Sequence, residues 1–278
     1  MVFITSQSLQ AEILRQQNLA RDIAGEQIKI STGHKINTPA DNPQDWVQIS
    51  QIGRQQAIND AWNSNADFAK SRAAAASQNL SDINGLMTQV TDLLVQSAST
   101  SKDSPGREAV AKSIEGVKAS IHDLLNQTDY QGTPVFDDTH TTNIPVGSGL
   151  AVDAVATRQS ISDNAVGTMS LEDFLQSAID AVRNGDQAAV GVALNDSRKA
   201  LDHVIVAQSV QGVRQQRIDD IMQRITDKKL DLTERRSGLE DTDVGEVITK
   251  LQSKLTTLEA AQAAFARIGK QNLFDLLR

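Results

Sequence analysis

WNSNADFAKSRAAAASQNLSDINGLMTQVTDLL, residues 62–94, places an apolar side chain at every step of an alternating four-and-three rhythm. The positions are Trp62, Ala66, Ala69, Ala73, Ala76, Leu80, Ile83, Met87, Val90 and Leu94. A repeat of this kind is the seam of a helix packed lengthwise against other helices. Continued from about Trp46 to Ala98, a rise of roughly 1.5 Å per residue makes the helix roughly 80 Å long, several times the usual length in a globular domain. No compact enzyme domain needs such an element.

Shorter and weaker seams flank it. Towards the start, Leu9, Ile13, Gln16, Ala20, Ile23, Gln27 and Ile30 keep the same rhythm, diluted by two glutamines, and the helix they mark should stop near Gly33. Ile36 to Gln44 follows, with Pro39 and Pro43 around Asp41 and Asn42, which is turn chemistry. Beyond the long helix, Ser104 and Pro105 read as an N-cap and first helical residue, opening a helix with Val110, Ile114, Val117, Ile121 and Leu124 that returns antiparallel.

Between Tyr130 and about Ser162 the pattern changes to short runs rich in Gly, Pro, Thr and Val. Thr133 to Phe136, Asn143 to Val146 and Ala151 to Val155 read as small hairpins, with Gly147-Ser-Gly149 as a turn. Ser170 and Asp173 form a capping-box-like start for a short helix with Leu171, Phe174, Leu175, Ala178, Ile179 and Val182, ending before Asn184 and Gly185. A second long helix runs from about Gln187 toward Arg236 on Val190, Leu194, Leu201, Val204, Ile218, Ile221 and Ile225, and Gly238 should break it. Asp243 and Glu246 then cap a last helix whose Val244, Val247, Leu251, Leu258, Ala261, Phe265 and Ile268 share a frame interrupted by Lys254.

The two end helices therefore mirror each other, and neither has enough apolar surface to be stable alone, because helices draw most of their stability from packing. Pairing with each other, and burial of Phe265, Leu273, Phe274, Leu276 and Leu277 against neighbouring copies, would couple folding to assembly. The candidate packing residues are Leu9, Ile13, Ile23, Ile30, Val247, Leu251, Leu258, Phe265, Leu273, Phe274 and Leu277. The fold expected is mainly α: a long antiparallel helical rod, a coiled-coil bundle with paired terminal helices and a small β-hairpin region. Its parts are residues 1–45, a rod over 46–237 with a lobe around 130–185, and residues 238–278.

Composition narrows the function. A net charge of −8 and a pI near 5.0 disfavour nucleic acid and anionic membranes as partners. The absence of cysteine removes disulfides, thiolate catalysis and cysteine-bound metals. Met1 to Gln10 lacks the basic start and apolar run of a cleavable signal peptide, and no stretch reaches the roughly 18 apolar residues of a membrane span. His34, His122, His140 and His203 are scattered without metal-ligand spacing, and Asp241 with Asp243 suits capping better than a calcium loop. Gly147-Ser-Gly149 lacks the rest of a phosphate loop. No catalytic residue, cofactor or metal is assigned.

Several separate motifs resemble the bacterial flagellin family, which includes flagellin and the hook-filament junction protein. Ile30-Ser-Thr-Gly-His-Lys-Ile-Asn-Thr-Pro-Ala-Asp-Asn-Pro43 resembles the stretch joining the family's first terminal helix to its rod, with two prolines as in the junction protein. Ile83-Asn84, Val90 to Ala98 and Thr128-Asp-Tyr-Gln-Gly132 are similar to the flagellin rod and its following turn. Gly238-Leu-Glu-Asp-Thr-Asp243 and Asn272-Leu-Phe-Asp-Leu-Leu-Arg278 resemble the start and end of the last helix in both. The resemblance implies an extracellular structural subunit of the flagellar filament, exported by a type III route and polymerising through its terminal helices as a helical homopolymer for motility. It also implies hook-associated proteins, a filament cap and an export chaperone on the C-terminal helix as partners. The alternative within the family is the junction protein itself, and outside it a coiled-coil secreted tip or effector protein. Where many flagellins carry two arginines read by the animal flagellin receptor, the matching positions are Gln89 and Thr91, which implies weak recognition.

Overall fold

The computed structural model describes residues 6–99, 105–129 and 131–276, and side chains from 10 to 267 within those ranges. Seven helices and one hairpin follow in the order α1 (Ser6–Thr32), α2 (Pro43–Ala98), α3 (Pro105–Leu125), β1 (Asn143–Gly147), β2 (Leu150–Asp153), α4 (Arg158–Ser162), α5 (Leu171–Asn184), α6 (Gln187–Glu240) and α7 (Val244–Leu276). The chain is mainly α, with long helices and one small antiparallel sheet, as the periodicity predicts. Packing divides it into two units: Ile58–Lys228, and Met1–Ala57 together with Lys229–Arg278.

In the unit spanning Ile58–Lys228, the α2 seam forms the spine of the core. Its nine positions from Ala66 to Leu94 are fully buried, with Trp62 partly so. α6 runs antiparallel along it: Asn59 Nδ2 donates to the Ile225 carbonyl at 3.0 Å, Asn84 Nδ2 to Gln208 Oε1 at 3.1 Å, and Gln187 Nε2 to the Ala98 carbonyl at 3.2 Å. α3 turns back along α2, its far end fixed where Asn79 Nδ2 donates to the Leu124 carbonyl at 3.0 Å. α5 lies antiparallel on α3, where the apolar face of each is buried and Arg183 pairs with Glu108 and Glu115 at the rim. Four alanines on the first half of the seam leave room for close approach, and Leu80, Ile83, Met87 and Leu94 fill the second half.

Local chemistry sets the boundaries. Ser170 accepts from the Asp173 backbone N–H at 3.1 Å and donates to its carboxylate at 2.7 Å, so the capping pair works through the acid's side chain on the serine hydroxyl. Gly185 ends α5 at φ 68°, a conformation that a Cβ would strain. β1 buries Ile144 and Val146 on alternate positions, and the turn at Ser148-Gly149 closes the hairpin. Thr133 to Phe136 is not a strand: it makes one bridge, Thr128 to Pro134, around a turn in which the Asp129 carboxylate accepts from the backbone of Gln131 and Thr133.

Two buried polar residues tie the hairpin region to the helices. Arg72 donates to Asp137 at 2.9 Å and to the Pro134 carbonyl at 3.1 Å, and lies over the Phe68 ring. Burial disfavours the Asp137 charge, but the Arg72 hydrogen bond and the Thr142 backbone N–H and hydroxyl outweigh it and hold the carboxyl below its ordinary value. Gln211, fully buried on α6, donates to the carbonyls of Ala73 and Ala154. Gly238 does not break α6, which continues to Glu240; one glycine costs about 1 kcal/mol in a helix, too little to end one held by packing.

Candidate assembly surface

In the other unit, α1 and α7 pack along each other. They are joined where the chain leaves one and enters the other. The Lys35 N–H donates to the Glu240 carbonyl at 2.6 Å and the Thr242 N–H to the Gly33 carbonyl at 3.0 Å, making a one-residue antiparallel bridge between His34 and Asp241. Gly33 supplies it by ending α1 at φ +74°. α1 runs into this bridge and α7 runs out of it, so the two helices are antiparallel.

The segment between α1 and α2 is built on side-chain hydrogen bonds. The Asp41 carboxylate accepts from the backbone N–H of Asn37 and Thr38 and from the Thr38 hydroxyl, and those bonds, the Asn37 one first, hold it below the usual aspartate range. Asn42 caps α2 by accepting from the Gln44 and Asp45 N–H groups, with Pro43 as the first helical residue. At the other end Asp243 caps α7, accepting from Gly245 and Glu246, while the Glu246 side chain pairs with Lys250 instead of reaching back.

The seam of α7 is only partly the predicted one: Val247 is buried and Leu251, Leu258 and Ala261 are half-buried, whereas Val244 and Phe265 are exposed. The seam of α1 also differs. Its inward residues are Glu12, Gln16, Leu19, Ile23, Glu26 and Ile30, so Gln16, Ile23 and Ile30 fall where expected while Ala20 and Gln27 point outward and Ile13 is 43% exposed. The buried Glu26 accounts for the difference. Lys254 Nζ reaches its carboxylate at 2.8 Å and Lys29 at 3.5 Å, so the residue that interrupts one apolar frame is the partner of a charge on the other. The Lys254 hydrogen bond, against the opposing effect of burial, holds Glu26 below its ordinary value.

One side of the pair stays uncovered. Val244, Ile248 and Leu255 lie 39%, 40% and 38% exposed beside the α7 seam, and Phe265 is exposed on its far reach instead of packed. On α1, Ile13, Leu14 and Ile28 are exposed as well. α7 thus carries a wider apolar arc than α1 covers. The side chains of Leu9, Leu273, Phe274 and Leu276, and all of Leu277, lie outside the described residues.

The fold gathers one cluster that spacing in the sequence does not show. His34 Nδ1 faces Asp241 at 3.2 Å and Glu240 at 3.8 Å, and ligand atoms of all three lie within 4.8 Å of one another. Arg236 already donates to Glu240 at 2.9 Å and Ser237 to Asp241, so each carboxylate is engaged by a residue one turn back on its own helix. In the unit of Ile58–Lys228, Gln89 is exposed, whereas Thr91 is half-buried, donating to the Met87 carbonyl and facing Ser197 on α6.

Comparison with known proteins follows the same helices. The model of the bacterial flagellin N-terminal helical region matches residues 4–141, and that of the bacterial flagellin C-terminal helical region matches residues 194–277. The chain belongs to the bacterial flagellin family. Its flagellin-type helices are therefore α1 to α3 and most of α6 with α7, and the stretch between them holds α4, α5 and the start of α6. Flagellar hook-associated protein 3 of Escherichia coli K12 is 24% identical, over 95% of this chain and 98% of that protein. The flagellin of Bacillus subtilis 168 is 21% identical, over 90% and 91%. A solved structure, the putative flagellar hook-associated protein from Vibrio parahaemolyticus, superposes with a TM-score of 0.66 at 17% identity, covering 72% of this chain and all of that one. As a flagellin-family member the chain is a structural component of the flagellum.

Proposed function

We propose that this chain is an axial subunit of the external flagellum, of the hook-associated type that joins hook to filament, and that it has no catalytic activity. The observation that carries assembly is the α1–α7 pair, whose apolar arc from Val244 to Leu255 is left open on one side. Fully burying a Leu or Ile contributes roughly 1.5–3 kcal/mol, and with Val244, Ile248 and Leu255 38–40% exposed, covering this arc with neighbouring subunits supplies a fraction of that from each toward polymer contact. Support for the hook-associated type over the bulk filament subunit comes from two sources. Flagellar hook-associated protein 3 corresponds to the chain from end to end, and Pro39 and Pro43 shape the link between α1 and α2 as in the junction protein.

The second reading, a filament-forming flagellin, is favoured by the near full-length match to the Bacillus subtilis flagellin. Both readings share type III export, an export chaperone on the last helix, and neighbours among the hook-associated proteins and cap. They differ in copy number. Purified protein offered flagellar seeds should add a short ring at hook ends and stop, and immunogold labelling of cells should mark one band per flagellum. Long filaments grown from this chain alone would establish the flagellin reading instead.

A further inference from the structure

We infer that the Glu26–Lys254 ion pair selects the register in which α1 pairs with α7. The apolar pattern leaves that choice open. On α7 the seam residues Leu251, Leu258 and Ala261 are followed, seven residues further along, by Leu258, Phe265 and Ile268 in the same frame, and Val247 by Lys254. A slip of four residues toward the start of α7 brings Asp243, Lys250 and Thr257 onto the seam, whereas a slip of three keeps it apolar with Val244, Ile248, Leu251, Leu255 and Leu258 and sets Leu251 against Glu26. A seven-residue slip keeps it apolar except where Lys254 itself moves into the place of Val247 or Ala261.

What a seven-residue slip cannot keep is the partner of Glu26. That side chain is buried, and the residues brought opposite it would be Val247 or Ala261, neither of which offers a cation. Lys29 stays beside Glu26 in any register, being one turn along the same helix, and so contributes nothing to the choice. Lys254 is the basic residue on the α7 seam, half-buried and bonded across the helices. A single polar pair inside an apolar seam is a known device for fixing register, because misalignment strands a buried charge. The His34–Asp241 bridge pins the end where α1 stops and α7 starts, so a slip must also break its two backbone hydrogen bonds, and the side-chain pair holds the alignment about two turns further along α1. The inference stands for either member of the flagellin family.

Native thiols are absent, so introduced cysteines report alone. In the full-length chain, Ile23→Cys is combined in turn with Leu251→Cys, Leu258→Cys and Phe265→Cys, and disulfides formed under mild oxidation are quantified by peptide mapping. With Glu26 and Lys254 intact, one partner should dominate by about tenfold or more, the discrimination expected from stranding a buried charge. In Glu26→Leu with Lys254→Leu, which keeps the seam packed, the yield should spread over partners one heptad apart. Glu26→Lys alone should lower all of them, and adding Lys254→Glu should restore the single product. The same dominant partner in the double-leucine chain, or no disulfide with the pair intact, would overturn the inference. Circular dichroism of each variant confirms that Ile58–Lys228 keeps its helices.

Discussion

Arg72 and Asp137 are each almost fully buried, and breaking a buried pair costs about 3–5 kcal/mol because the remaining charge is stranded. Arg72→Leu should therefore lower the stability of the unit holding the hairpin by that order, read from urea unfolding at neutral pH. The pH dependence has a definite sign. Since Asp137 is held below its ordinary value of 3.8, its contribution is complete above that value and disappears as pH falls through the lower native one. Asp137→Asn should flatten the acid limb of a stability titration, in addition to lowering stability at neutral pH. An unchanged acid limb would show that the pair is not what acid breaks. Nothing in the one-dimensional pattern marks Arg72, Asp137 or Gln211, because the partners that bury them lie 57 to 138 residues away and three of these are backbone carbonyls.

For single elements, legibility followed the contrast between apolar and polar residues. α2 could be read position by position because its seam alternates sharply with Ser, Gln, Asp and Lys, and α3 and α5 nearly so. α1 has little contrast. Polar residues occupy both candidate frames, which share Gln16, Ile23 and Ile30, and the frame that turns inward is the one that sets Glu26 against Lys254 of α7. α4 escaped notice because five residues hold no period, although Thr157 caps it by accepting from the Ser160 N–H. Two measurements follow for the elements that were legible. Ala73→Leu, inserting bulk where α2 is fully buried, should cost about 1–3 kcal/mol in thermal or urea unfolding. Ser170→Ala should cost about 0.5–2 kcal/mol through loss of the α5 cap, and Ser170→Thr should recover most of it.

For the molecule as a whole, assembly and stability should separate. Ile248→Gln with Leu255→Gln removes part of the uncovered arc without touching the core around α2. Unfolding of Ile58–Lys228 should stay within about 0.5 kcal/mol while sedimentation shows loss of seeded addition. Limited proteolysis should cut near residues 40 and 240 in the monomer and not in the assembled state, and equal protection in both would refute folding on assembly. The bridge between His34 and Asp241, and the pair between Glu26 and Lys254, also have a meaning in time. Lys254 lies 228 residues after Glu26, and synthesis at about 5–20 residues per second separates the two by about 10–45 s. Throughout that interval α1 has been made and its partner has not. Until α7 follows, α1 is open to whatever else in the cell binds an unpartnered amphipathic helix.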